Sequence, residues 1–102
     1  MPSSSSRPNR RMSAKAARAV IEAADLVKAP DHRDTSRWEV RSGDLLLGHV
    51  EPSYGGASRS GRNGWIGRSA QTLIPTRRCA TRQEAAAEVL LAWERQATAP
   101  RP

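Results

Sequence analysis

The stretch TRQEAAAEVLLAWERQAT, Thr81–Thr98, decides how this chain folds, because it is the longest segment in which helix signals and apolar spacing agree. Thr81 is placed to accept the first free amides of a helix, and Glu84, three residues on, completes a capping box. Ala86, Val89, Leu90, Trp93 and Ala97 recur at helical spacing and form one apolar stripe. Glu88, Glu94 and Arg95 fall largely on the other side. Pro100 ends the run. A helix with one apolar stripe needs a surface to cover, and the β-forming residues lie just upstream, around Trp38–Val50 and Trp65–Ile74.

Working outward, Trp38–Glu51, WEVRSGDLLLGHVE, reads as a hairpin. Trp38 and Val40 alternate with Glu39 and Arg41, and Ser42-Gly43-Asp44 supplies turn chemistry before an apolar return strand. A two-residue loop puts Leu45 and Leu47 on the Trp38 and Val40 face. A three-residue loop puts Leu46 and Val50 there, and a bulge at Gly48 would let both sets contribute. Residues 52–64, PSYGGASRSGRNG, read as a long loop, and Trp65–Ser69 as a third strand with Trp65 and Gly67 on one face and Ile66 and Arg68 on the other. Pro75 restricts the segment before the helix to an edge strand or an extended connection.

On the N-terminal side, Ser13–Ala29 reads as a first helix with Ser13 as cap and Ala17, Val20, Ile21, Ala24 and Val27 on one face. Pro30 stops it, and PDHRDTSR follows as a polar linker with His32 in solvent. Residues 1–12, MPSSSSRPNRRM, combine a Ser run with Arg7, Arg10 and Arg11 and have little to bury, so they are expected to form a disordered basic arm. Residues 13–98 are expected to form a single domain and 99–102 a frayed tail. The fold expected is α+β: an outer N-terminal helix, a three-stranded antiparallel sheet, and the C-terminal helix across one sheet face.

A chain of 102 residues with 37% hydrophobic content and no Phe builds a small core, which argues against a deep catalytic pocket. No Ser/His/Asp, Cys/His or paired-carboxylate arrangement is legible, so no enzyme is expected. The lone Cys79 rules out an intramolecular disulfide and, with only His32 and His49 besides, suggests neither a metal nor another cofactor. No apolar run reaches the roughly 18 residues a membrane span needs, and the expectation is a cytoplasmic protein without a membrane partner.

The charge carries the functional signal. The formal net charge is +7, and all but two of the seventeen basic residues are Arg, the better bidentate reader of phosphate and guanine. Between Glu51 and Glu84 there is no acidic residue, while Arg59, Arg62, Arg68, Arg77, Arg78 and Arg82 all fall there. Such a distribution suits a surface that lays positive charge along phosphates, with Trp65 available to stack on a sugar or base.

The order of hairpin, third strand and a helix opened by Cys79-Ala80-Thr81-Arg82-Gln83-Glu84-Ala85-Ala86 resembles two groups of DNA-binding domains. These are the arm-binding domains of tyrosine integrases and the plant ethylene-response-factor domain, over about Trp38–Trp93. The pattern is also similar to small phage and actinobacterial proteins. The resemblance implies a helix behind a three-stranded sheet whose open face enters the major groove with Arg and Trp side chains, which by position are Arg41, Trp65 and Arg68. This chain departs from that pattern in its long Gly/Arg loop and in Ile74-Pro75 before the helix. The expected function is that of a non-enzymatic nucleic-acid-binding accessory or regulatory protein, with duplex DNA as partner, acting through Arg41, Arg59, Arg62, Trp65, Arg68, Arg77 and Arg78. The alternative is a protein-interaction module, or a phage- or plasmid-type regulator that binds a host protein.

Overall fold

The computed structural model describes residues 12–54, 62–70 and 75–99. Helix α1 (Ala14–Glu22) leads into strand β1 (Ala24–Lys28), a single-turn helix α2 (His32–Thr35), strands β2 (Trp38–Ser42), β3 (Leu45–Tyr54) and β4 (Arg62–Ser69), and the long helix α3 (Arg82–Thr98). The strands form one antiparallel four-stranded sheet in the order β1-β2-β3-β4. The fold is therefore α+β with helices at both ends, and the expected three strands are corrected to four.

The extra strand comes from the segment read as the end of the first helix. That helix does start on Ser13, whose Oγ accepts from the Ala16 amide at 3.1 Å, but it stops at Glu22. Ala24–Lys28 instead pairs with β2 in the register Leu26 to Val40 and Lys28 to Trp38. The run ADLVK suits either state. As a strand it sends Ala24 and Leu26 toward the core, and the open edge of β2 supplies the backbone partners that override the helical preference of the preceding alanines.

The β2–β3 hairpin settles on the two-residue loop, with Ser42 opposite Leu45 and Gly43 at φ +60°, the positive φ a type II′ turn requires at its first central position. Two pairs further along the register shifts: Arg41 faces Leu46, but Val40 faces Gly48. Leu47 is the extra residue of a β-bulge, and this lets Leu47 and Val50 both reach the core while Leu45 and Leu46 stay exposed. The region 52–64 is not wholly a loop. Pro52 is buried inside β3 opposite Trp65, and β4 begins at Arg62.

Helix α3 covers one face of the sheet, chiefly β3 and β4, and α1 packs beside it. The capping box is formed: the Glu84 amide donates to Thr81 Oγ1, and the Thr81 amide donates to Glu84 Oε1, each at 3.1 Å. Ala85, Ala86, Val89, Trp93 and Ala97 are buried against Val40, Leu47 and Val50. The helix lies low because two glycines sit beneath it. A Cβ at Gly48 would stand 2.6 Å from Val89 Cγ1, and one at Gly67 would overlap Val89 Cγ2, so the Val89 side chain occupies the space that two side chains would fill. Met12, expected within the basic arm, packs against the core, and its amide donates to the Ala97 carbonyl at 2.8 Å; the rest of that arm, residues 1–11, and the expected tail 100–102 lie outside the described residues.

Candidate nucleic-acid interface

Alternation along the strands separates two surfaces. The face away from α3 carries Asp25 and Val27 from β1, Glu39 and Arg41 from β2, Leu46, His49 and Glu51 from β3, and Ile66 and Arg68 from β4. Its charges are mixed and largely matched. Arg41 Nε donates to Glu39 Oε1 at 2.6 Å and its Nη1 to the Asp44 carbonyl at 3.1 Å. Arg37 lies 3.4 Å from both Asp31 and Glu51 and ties the β1–β2 connection to β3. His49 sits beside Glu51 at 3.8 Å, a neighbour that the spacing of two along a strand brings to the same face. Burial lowers the His49 pKa below its ordinary 6.5, the Arg37 guanidinium lowers it further, and Glu51 opposes both.

Two arginines of the acid-free stretch, Arg77 and Arg78, lie elsewhere, on the segment beside the β4 edge. Residues 75–79 run alongside β4. The Trp65 amide donates to the Cys79 carbonyl and the Cys79 amide to the Trp65 carbonyl, each at 2.8 Å, and the Thr76 amide donates to the Gly67 carbonyl at 2.8 Å. Thr76 Oγ1 accepts from the Gly67 amide at 3.0 Å, so a side chain closes the ladder where the short segment cannot. The expected edge connection before the helix is present in this form. It carries Arg77 and Arg78 at the surface, the former 3.5 Å from Glu88 on α3. The Arg78 side chain crosses Gly64, whose φ of +85° and whose closeness to the Cys79 carbonyl leave no room for a Cβ. Cys79 itself is buried, its thiol pKa raised by that burial, and its Sγ donates to the Arg77 carbonyl at 3.4 Å. Among the described residues no group of three or more His, Cys, Asp or Glu converges as metal ligands, and no helix is long and apolar enough to cross a membrane.

Of the residues the sequence pointed to, Arg77 and Arg78 lie on this edge, and Arg68 is on β4 itself with its side chain on the open face. Arg41 is on the open face and engaged by Glu39. Trp65 is on the opposite face from Arg68, packed against the core. Arg59 and the side chain of Arg62 lie outside the described residues.

A further cluster sits at the start of α3. The Arg82 guanidinium carbon stands 4.0 Å from the centroid of the Trp38 ring and 5.8 Å from that of Trp65. His32, expected in solvent, meets the Trp38 ring edge-on at 5.1 Å and an interplanar angle of 81°. Sequence reading counted Arg82 among the basic residues without seeing a role for it. Trp38, Trp65 and Arg82 come from three separate elements, and only their spacing on the alternating faces of β2 and β4, both pointing toward α3, hinted at a meeting.

Comparison of the chain with protein-family models, with curated proteins and with solved structures finds no match.

Proposed function

We propose that this is a non-enzymatic nucleic-acid-binding protein, accessory or regulatory in role, which takes duplex DNA along the β4 edge. The observation that carries the reading is that the described part of the longest acid-free stretch forms one edge of the sheet, with Arg77 and Arg78 exposed on the segment beside β4 and Arg68 on β4 itself. A polyanion gains most from such a surface through counterion release, a term that needs no base-reading motif. The open sheet face suits this role less well, since Asp25, Glu39 and Glu51 are interleaved with its cations. Edge-on contact of this kind differs from the face-on docking that the integrase and ethylene-response-factor resemblance implies.

The test is anisotropy of a labelled duplex at several salt concentrations, with wild type and a variant carrying Arg68→Ala, Arg77→Ala and Arg78→Ala. The variant should keep its circular dichroism and melting and lose affinity. Its salt dependence should flatten by up to about one slope unit per lost phosphate contact. Equal binding by both proteins at the same salt would overturn the reading in favour of a protein partner. For that alternative the supporting features are the short outer strand β1 and the exposed Val27 and Leu46 on the open face.

A further inference from the structure

We propose that Arg82, held over the Trp38 ring and near that of Trp65, is a preformed site for one phosphodiester group of the nucleic acid. This rests on the nucleic-acid reading and adds a residue and a contact geometry that the basic edge alone does not supply.

Three observations converge on it. The first is order. A guanidinium 4.0 Å above one tryptophan ring and 5.8 Å from a second is held in place without using its in-plane N–H groups. An arginine can stack through its face and bond through its edge at the same time, which a lysine ammonium cannot do. The second is an unspent charge. Among the described residues, Arg82 Nε is buried with no hydrogen-bond partner and no carboxylate pairs with the side chain. The acids within reach along α3 are already committed, Glu84 to the Thr81 cap and Glu88 to Arg77. Asp31, next to His32, is held by Arg37. The third is the sign of the surroundings. Lys28 pairs with Trp38 across the β1–β2 ladder, and Arg78 lies over Gly64 next to Trp65. An anion arriving here meets an ordered, unneutralised fork inside a cationic setting. The planar, bidentate geometry of that fork matches two phosphate oxygens. The segment that carries Arg77 and Arg78 runs beside Trp65 into the start of α3, so a backbone followed along it would come to Arg82.

The experiment compares wild type, Arg82→Ala, Arg82→Lys and the control Arg18→Ala on a labelled duplex across salt concentrations. In parallel, the Arg82 Nε–Hε resonance is followed on titration with that duplex, with inorganic pyrophosphate and with an acidic peptide. Arg82→Ala should weaken duplex binding roughly ten- to a hundredfold and lower the salt slope by about 0.9. Arg82→Lys, which keeps the charge and the stem if the stack is disturbed, should lose much of the affinity but keep the slope. Arg18→Ala should change little, and the Arg82 resonance should move with duplex and pyrophosphate. If wild type binds duplex and both Arg82 variants bind as tightly, the site is overturned while the basic-edge reading stands. If wild type does not bind duplex and the resonance moves with neither phosphate, both fall. A resonance that moves only with the acidic peptide overturns the phosphate assignment and makes the site one for protein carboxylates.

Discussion

Val89 seated over Gly48 and Gly67 is the contact on which the depth of α3 turns, and it is sensitive to a single methyl group. Gly67→Ala would press a Cβ into Val89 and bring it to 3.1 Å from the Ala85 carbonyl, so it is expected to destabilise by about 1–3 kcal/mol. Urea unfolding measures this, and a variant as stable as wild type would show that the helix can ride higher than described. Thr81→Ala removes the reciprocal cap and should cost about 1 kcal/mol, a drop in melting temperature of roughly 4–8 °C for a domain of this size. His49 supplies a pH dependence whose sign follows from its lowered pKa. The folded state disfavours the imidazolium, so the stability His49 contributes is present above the unfolded value of 6.5 and is lost as pH falls through the lower folded value. Burial, Arg37 and Arg68 push in this direction, while Glu51 and Asp31 oppose it. Melting temperatures between pH 7 and pH 5 should fall less steeply for His49→Gln than for wild type.

At the scale of elements, the bulge in β3 decides which leucines matter. Leu47 is fully buried, whereas Leu45 and Leu46 are 46% and 36% exposed. Leu47→Ala should cost about 2–5 kcal/mol, and the same change at Leu45 or Leu46 far less. Comparable losses at all three would mean a different register. Helix α3 makes a similar distinction: Trp93→Ala should cost about 3–5 kcal/mol, while Leu91, half exposed on the outer side, should tolerate alanine. Both sets of predictions are read from denaturation midpoints.

For the whole molecule, the layering predicts an order of opening. β3 and β4 lie beneath α3, whereas β1 is an outer strand beyond β2 that α3 does not cover. Amides in the centre of β3 should exchange with solvent only through global unfolding, and those of β1 through cheaper local opening. Native-state hydrogen exchange would separate these, and equal protection in the two strands would contradict the layering.

Much of this fold was legible from residues alone. The α3 boundaries follow from Thr81, Glu84 and the apolar stripe because capping and helical periodicity are local effects, set within a few residues of chain. The gathering of arginine between Glu51 and Glu84 was equally plain, since charge needs no folding to be counted. What tertiary structure alone decided are matters of competition and meeting. Ala24–Lys28 suits helix and strand about equally, and the open edge of β2 chose the strand. The hairpin could use either loop length, and burial of both Leu47 and Val50 under α3 chose a two-residue turn with a bulge. Met12 looked like the end of a solvated arm until Ala97 offered its carbonyl. Arg82 could not be placed over Trp38 by any local rule, because the two residues are far apart in sequence and meet only once the last helix has settled on the sheet.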